Sequence, residues 1–585
     1  MRIKFYCLIH IVAMLCCANV SHAQYGWKWG VSDELSTNSG FDTWAAAKDD
    51  EGNILVSGFT AYTASAYNYI VYGTDTIYNP AAHQQQILIK LDTNGHFLWA
   101  KGTEHSTVMP LSLAADHNGN IYVFGYYCDS LYCNFDSIRL YNTNLYMFYV
   151  AKYSPAGNVL WAKNVNANSS HYNYGSIGID SANNVYITGS FDSATLTIGT
   201  TTLINHATGT NFDIYVAKFD SSGTPLWVKD FGGTGDDYPT CMTVTNAGNC
   251  YLSGMYNSNT MTVGSTLLTD SLISGSYTTY LSFIIKLNNS GNVIWAKKQS
   301  KELNPTNIVS NNLENIYMVG YFDSSLILGP DTINSISGMD AFVTKFDSSG
   351  NFKWAKSAGG AYADYAYSVG LDSCNNVWIA GGVNSIGYIG TYYLHFGADS
   401  MPVPTGPDPA FMAEFNDCGN YITSIYLPTG GDDMISILPD KKGSFYLASD
   451  YFDSSLIFGH DTLGVMVPNQ EVLFVAKYKY SNSCTFVSCS TVRDGIKTII
   501  SSDLVSNINI YPNPSNSVFS VTNNSPFPEN SRIEIMDISG RKVKSSILSD
   551  TNNIFSVENL FTGVYFVRII IPENEIVVKK LVIIK

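Results

Sequence analysis

One short phrase limits this chain more than any other: a tryptophan, a small residue and a lysine, returning at near-regular intervals. It reads WAKG at 99–102, WAKN at 161–164, WVKD at 227–230, WAKK at 295–298 and WAKS at 354–357. A related fragment, Trp27-Lys28-Trp29-Gly30, stands alone near the start. Each later copy closes a unit of about 60–70 residues, a period that belongs to propellers and solenoids. The third unit shows the parts. GSIGID (175–180) turns through SANN into VYITG (185–189), and a long connection leads to DIYVAKF (213–219). The turn DSSG (220–223) then introduces PLWVKD (225–230). Alternation of apolar and polar residues between Asn, Asp and Gly turns marks half-buried antiparallel strands.

The turns recur as faithfully as the strands. The first reads DDEGN (49–53), DHNGN (116–120), DSANN (180–184), TNAGN (245–249) and DSCNN (372–376). The second reads DTNG (92–95), SPAG (154–157), DSSG (220–223), NNSG (288–291), DSSG (347–350) and NDCG (416–419). Asp and Asn bond nearby backbone, and Gly takes the positive φ that such turns need. These residues serve folding.

Trp27, Trp99, Trp161, Trp227, Trp295 and Trp354 anchor six outer strands. A degenerate copy, GNYITSI (419–425), puts Thr423 in the tryptophan slot and predicts a looser sixth unit. SILPDKKGSFYLAS (436–449) and LFVAKYKY (473–480) then supply three strands with no fourth. Three strands left at the end and one at the start make one blade. The expected fold is all-β: a seven-bladed β-propeller over 24–480, closed by its N-terminal strand, which removes the free sheet edge. A right-handed β-solenoid is the alternative, but it wants shorter rungs and no exchange between ends. Trp→Ala at 161, 227 or 295 should cost about 3–5 kcal/mol if the ring is fully buried.

These units resemble a family of bacterial β-propeller repeats, most clearly at IYVAKFDSSGTPLWVKDFGGTGDDYPTCMTVTNAGNCYLSG (214–254) and AFVTKFDSSGNFKWAKSAGGAYADYAYSVGLDSCNNVWIAGG (341–382). The resemblance spans about residues 27–480 and implies a fold, not an activity.

Residues 481–506 read as a linker. From 507 a new module begins: NINIYPNPSNSVFSV (507–521), RIEIMDISGRKV (532–543), NLFTGVYFVRII (559–570) and EIVVKKLVIIK (575–585). Its alternating strands suggest a small Ig-like β-sandwich. It resembles the type A C-terminal sorting domain of type IX secretion cargo. The matching residues are Tyr511 with Pro512, Asn513 and Pro514; the turn Asp537 to Arg541 with Gly540; Leu560 to Tyr565 with Gly563; and Lys580-Leu581-Val582. The resemblance implies handling by the type IX secretion machinery, passage across the outer membrane, and later removal of the tail. The cargo is then released or attached to surface lipopolysaccharide.

An N-terminal leader agrees with export. Arg2 and Lys4 precede an apolar run over 5–19, and Ser21-His22-Ala23 offers a cleavage site before Gln24, giving a signal peptide at 1–23. That run is too short for a membrane span, and no transmembrane segment follows. Cys16 and Cys17 suggest lipoprotein processing, but Leu15 and Cys16 precede them where a small residue is wanted. A formal net charge of −16 argues against nucleic acid and anionic membranes as partners.

Eight cysteines remain after the leader: Cys128, Cys133, Cys241, Cys250, Cys374, Cys418, Cys484 and Cys489. In an exported protein they are disulfide candidates. Cys128/Cys133, Cys241/Cys250 and Cys484/Cys489 are close in sequence. Cys374 and Cys418 fall in two turns of one blade. None has CxxC spacing, so zinc and redox chemistry are not expected.

The long connections between second and third strands, with the blade-to-blade loops, are expected to share one face and form the binding surface. FDSATLTIG (191–199), FDSSLILGPDTI (322–333) and FDSSLIFGHDTL (452–463) recur there as a regular extension. Tyrosines in SYTTY (276–280), AYADYAY (361–367, with Tyr365) and IGTYYLHF (389–396) could stack on sugars. Asp236, Asp237, Asp364, Asp432 and Asp433 are candidate ligand-binding carboxylates at the channel mouth, though the repeated GGxGDDY phrase also suits an organiser of the next inner strand. Calcium is conceivable without any motif for it; no other cofactor or metal is expected. HExxH, GxSxG and phosphate loops are absent from the sequence. The expected role is non-enzymatic adhesion to glycan or protein. The alternatives are a polysaccharide-active enzyme using loop carboxylates, or a passive surface layer.

Overall fold

A computed structural model describes residues 26–583 except 33–40, 61–67, 80–82, 144–145, 170–174, 208, 270–279, 302, 385–391, 404–408, 428–434, 441–442, 452–454, 459, 465–471, 481–508, 512–514, 524–525, 528–530, 537–541 and 572–574. The chain divides into two compact units, Met1–Val487 and Ser488–Lys585. The leader and the linker expected at 481–506 lie outside the described residues.

The first unit holds seven four-stranded antiparallel sheets among the described residues. Six run in chain order from inner to outer strand. The third is Ser176–Ile179, Val185–Phe191, Asp213–Phe219 and Pro225–Phe231. The seventh takes Ser436–Pro439, Ser444–Tyr451 and Val472–Lys479 from the end of the unit and Gly26–Ser32 from its start. Inner strands touch their successors around the whole series, and the strand Phe41–Lys48 meets Ser436–Pro439 to complete the ring. Side chains from facing sheets form the core. One cluster joins Tyr122, Phe124 and Phe148 of the second sheet to Ile187, Tyr215 and Phe219 of the third.

The N-terminal strand closes the ring in a register the sequence did not suggest. In ordinary blades the tryptophan opposes the third-strand lysine, as in Lys218↔Trp227. Here Lys477 opposes Trp29, whereas Trp27 opposes Tyr478, with an irregularity between them. Trp29 therefore fills the anchor slot assigned above to Trp27. Its ring packs on Gly95 of the first sheet, where an added Cβ would lie 2.9 Å from the indole. Trp27 packs within its own unit, against Phe445 and Tyr478 of the same sheet and Phe458 of the unit's hairpin.

Third-strand lysines tie the turns together. Lys90 meets Asp49 at 2.8 Å and Lys218 meets Asp180 at 3.1 Å, both from the same sheet's first turn. Where that turn carries Thr245, the acid comes from the next sheet, as Glu314 at 2.7 Å from Lys286. The ammoniums of Lys218 and Lys286 also lie over second-strand tyrosines, Lys218 being 4.7 Å from the centre of Tyr186 and Lys286 5.0 Å from that of Tyr251.

The long connections depart from the expected single loop face. They form hairpins, such as Thr195–Ile198 with Thr201–Ile204, that fold back along the outer strand of their own sheet. The turn glycine Gly199 reaches Pro225 at the start of that strand. Hairpin aspartates accept hydrogen bonds from outer-strand amides: Asp75 from Ala100 at 2.9 Å, Asp461 from Gly30 at 3.1 Å and Asp331 from Ala355 at 3.4 Å. Each hairpin thus covers an outer edge whose N–H groups would otherwise stay unpaired. Isolated antiparallel bridges pair Glu104 with Asn134, Gly232 with Thr262 and Gly359 with His395, each joining a blade-to-blade corner to the next hairpin.

Two of the close cysteine pairs are not bridged: Cys128, Cys133, Cys241 and Cys250 are free and buried. Cys241 packs with Tyr251 and Ile284, and Cys250 with Tyr186 and Ile214, in different inter-sheet clusters. In the hairpin register Cys250 opposes Val244, three residues beyond Cys241, so the two side chains leave opposite faces of one sheet. Cys128 is held at the end of a second strand, while Cys133 points into the core between the first and second sheets. Cys374 and Cys418 are disulfide-bonded. Val377 opposes Phe415, which brings their two turns to one end of the sixth sheet. Cys484 and Cys489 lie outside the described residues.

The second unit is a β-sandwich. A three-stranded sheet (Asn509–Tyr511, Val518–Thr522, Asn552–Ser556) and a four-stranded one (Lys542–Ile547, Arg532–Met536, Gly563–Ile571, Glu575–Ile583) share one core. Phe519, Val521 and Phe555 meet Ile533, Val567, Ile569 and Leu581 there. Gly563 opens the strand Gly563–Ile571, and Tyr565 is buried with its hydroxyl donating to the Phe561 carbonyl at 3.0 Å. Lys580 sits in the last strand opposite Phe566. Pro512, Asn513, Pro514 and Gly540 lie outside the described residues.

Candidate functional site

The carboxylates expected at a channel mouth divide into two kinds. Asp237 heads the inner strand of the fourth sheet, and Asp364 lies at the start of the sixth sheet's inner strand; neither has exposed surface. Asp237 Oδ2 accepts from the Gly233 amide and the Ser258 hydroxyl, both at 2.7 Å. Asp364 Oδ2 accepts from the Gly360 amide at 2.7 Å. Both are therefore withdrawn from solvent, a correction to the mouth location expected from sequence. They fasten the Gly-Gly corner between blades.

Each of these acids faces a second one that the sequence reading missed. Asp213 begins the third strand of the preceding sheet, and its Oδ2 accepts from the His206 amide at 2.6 Å. Asp340 Oδ2 accepts from the Ile336 amide at 3.0 Å. The glycine corner lies against them: a Cβ on Gly232 would fall 1.9 Å from Asp213 Oδ1, and one on Gly359 would fall 1.9 Å from Asp340 Cγ. The signal for both was an aspartate just ahead of the third strand's apolar run, in a unit whose outer strand runs into Gly-Gly, at 232–233 and 359–360.

Four buried oxygens, the Oδ1 atoms of Asp213, Asp237, Asp340 and Asp364, have no hydrogen-bond partner. Burial, with the neighbouring carboxylate adding to it, pushes Asp237 up to about 7 and Asp364 well above the usual range. Burial likewise raises Asp213 to about 6 and Asp340 to about 7. Two such acids cannot both ionise cheaply, so one proton per pair is the low-energy state. The sixth sheet repeats the theme at its other end. Glu414 replaces the usual lysine, and burial plus nearby Asp372 lift it to about 7.

Asp236 is only partly buried. It accepts from the Phe212 amide at 3.2 Å and from the Tyr280 hydroxyl at 3.3 Å. Tyr280 in turn lies edge-on to Tyr238 with centroids 5.5 Å apart. Tyr365 is half-buried between Tyr321, edge-on at 5.0 Å, and Tyr367, stacked at 5.9 Å. Structure thus brings Asp236 to one aromatic group and Tyr365 to another. Asp432 and Asp433 lie outside the described residues. Among the described residues, no three His, Cys, Asp or Glu side chains gather as metal ligands.

The most repeated exposed feature is on the rim. Every hairpin turns one large apolar or aromatic side chain outward: Tyr78, Tyr141, Ile204, Leu267, Ile327, Tyr393 and Ile457, between 53% and 68% exposed. Sequence reasoning missed this ring, because the same alternation that buries Leu196 and Ile198 leaves the intervening positions free of any folding constraint.

Residues 509–585 match the family of secretion system C-terminal sorting domains. The sorting domain marks the chain as type IX secretion cargo, exported to the cell surface or secreted and handled by that machinery. No helix among the described residues is long and apolar enough to cross a membrane. An uncharacterized WD repeat-containing protein, L264 of Acanthamoeba polyphaga mimivirus, is 27% identical over 437 residues, 62% of this chain. The match takes in 31% of that relative's length. Among solved structures, PorZ, a surface component of the type IX secretion system of Porphyromonas gingivalis, aligns with 93% of this chain and 82% of its own. Its identity is 11% and its TM-score 0.22. The endosialidase of phage phi92 aligns with 94% of this chain and 87% of its own, at 9% identity and a TM-score of 0.35. A Bacteroides caccae protein of unknown function aligns with 57% and 91%, at 11% and 0.27. Likeness at these scores carries no functional weight.

Proposed function

We propose that this exported propeller is a non-enzymatic adhesion protein that binds glycan or protein through its rim. The observation that supports this reading is the ring of outward hairpin side chains, repeated on all seven sheets. One exposed apolar side chain is ordinary by itself; the support comes from its return on every hairpin. Repetition around a circle also offers many weak contacts at once, which raises avidity without a deep pocket. The buried aspartates support the same reading from the other side, since Asp237 and Asp364 are committed to blade junctions and closed to substrate. The leader over 1–23 and the tail from 507 fit delivery of such a protein to the outer surface.

The test is a binding screen of the mature full chain against immobilised glycans and outer-surface proteins. It is repeated with Ile204→Ser, Ile327→Ser and Ile457→Ser combined. Retained folding with binding lowered by about tenfold is the expected result. Binding that survives the triple change, or a glycan-hydrolysing activity in the same preparation, would overturn it.

A further inference from the structure

The second sheet's hairpin, Tyr132–Phe135 with Ile138–Tyr141, differs from its counterparts on the side facing solvent. In the third sheet the outward pairs are Thr197 with Thr202 and Thr195 with Ile204. In the second the corresponding pairs are Asn134 with Arg139 and Tyr132 with Tyr141. The guanidinium of Arg139 lies 4.0 Å above the Tyr132 ring. Its Nε–H donates to Asn134 Oδ1 at 3.1 Å, which fixes the plane of the group. Tyr141 stands 6.5 Å from Tyr132, and the His105 ring lies 5.2 Å from the same Tyr132 ring. His105 reaches this position with a φ of 70°, a backbone state that side chains other than glycine seldom adopt.

Arg139 is the single arginine between residues 24 and 480 of a chain whose formal net charge is −16. It is exposed, and no carboxylate among the described residues lies within ion-pair distance of it. A planar cation held in place, with its outer N–H groups unclaimed, is built to receive a carboxylate in a two-pronged fashion. The exposed tyrosine beside it on the same strand face offers a flat apolar surface. A carboxylate alone would need only the arginine. A pyranose bearing a carboxyl group uses both, laying its C–H face on Tyr141 and its acid on Arg139.

We infer that the hairpin at 132–141 is a binding site for acidic sugar residues of the hexuronate class. This rests on the rim-binding reading above and gives it one chemically defined position. An acidic peptide offers the charge without the flat ring and is the competing occupant.

The experiment uses the mature full chain with trigalacturonate, neutral maltotriose and triglutamate as probes, followed by ligand-observed saturation-transfer NMR. Trigalacturonate should bind and maltotriose should not, and Arg139→Ala and Tyr141→Ala should each weaken binding at least fivefold. Arg139→Lys should recover only part of the loss, because a lysine keeps charge but not the flat fork. Melting temperatures should stay unchanged, since both side chains are exposed. Equal binding of triglutamate, or trigalacturonate binding indifferent to both substitutions, would overturn the site. If the site fails while other rim ligands still bind, the adhesion reading stands; if the rim binds nothing, both fall.

Discussion

The indole Nε1–H of Trp354 donates to the backbone carbonyl of Asp417, 2.9 Å away in the next sheet. The same bond joins Trp99 to Pro155 at 3.0 Å, Trp227 to Asn289 at 3.0 Å and Trp295 to Ser348 at 3.2 Å. In each case the ring also covers the glycine of that turn; a Cβ on Gly419 would sit 2.6 Å from Trp354. In each of these blades the tryptophan therefore holds the following blade by a hydrogen bond and by ring contact together. Trp354 is 7% exposed and the others more so. Trp354→Ala should cost about 3–5 kcal/mol, and Trp227→Ala less. Denaturant unfolding followed by local hydrogen exchange would check the order; equal losses at both sites would contradict it.

Second-strand glycines should tolerate no side chain. A Cβ on Gly320 would lie 1.9 Å from the Asn304 carbonyl oxygen, and one on Gly381 equally close to that of Tyr365. Both oxygens belong to inner strands that bulge at this point, between Pro305 and Asn307 and between Ala366 and Ser368. Gly320→Ala should therefore destabilise the protein, the reverse of an ordinary strand Gly→Ala change, which stabilises by about 0.5–1 kcal/mol. Soluble yield and melting temperature would measure it, and an unchanged melting temperature would refute the bulge explanation.

Acid pairs at the blade junctions give stability a pH sign. Asp213, Asp237 and Asp340 titrate higher in the folded chain than in the unfolded one, where carboxyls sit near 4. The folded state thus binds more protons, so this contribution is fully present below pH about 4 and is lost as pH rises towards 7. Asp237→Asn keeps a carbonyl acceptor for Gly233 while removing the charge. It should flatten the fall in melting temperature between pH 5 and 8. A slope identical to that of the unaltered protein would sink the assignment.

Cysteine chemistry should be uneven. Cys128 and Cys241 are pushed up to about 12 by burial, and Cys133 and Cys250 are raised further. Thiolate is the reactive form, so all four should resist alkylation in the native protein. Reduction of the bond at Cys374 and Cys418 should speed hydrogen exchange over 410–427, the region whose tryptophan slot is filled by Thr423. Peptide-level mass spectrometry reads both effects; alkylated Cys133 in the folded chain would count against the buried assignment.

Removing 507–585 should leave the propeller in the periplasm. Fractionation of cells carrying the shortened chain would show this, and surface display without the tail would contradict the export route.

Local chemistry in the sequence was enough for the repeat, the strand order and the sorting tail. Alternation, Asn/Asp/Gly turns and the recurring tryptophan each act over a few residues, where chain geometry leaves little choice. The stray strand at the start and the three at the end were countable for the same reason. Its register was not: Trp27 and Trp29 are both tryptophans, and only the partner strand with Lys477 decides which one reaches Gly95. The same holds for Asp237, whose sequence context suits an open loop, but which the neighbouring sheet seals beside Asp213. Burial, pairing across blades and the free state of Cys241 and Cys250 depend on which faces meet when the ring closes. Those contacts join residues far apart along the chain, and no local rule encodes them.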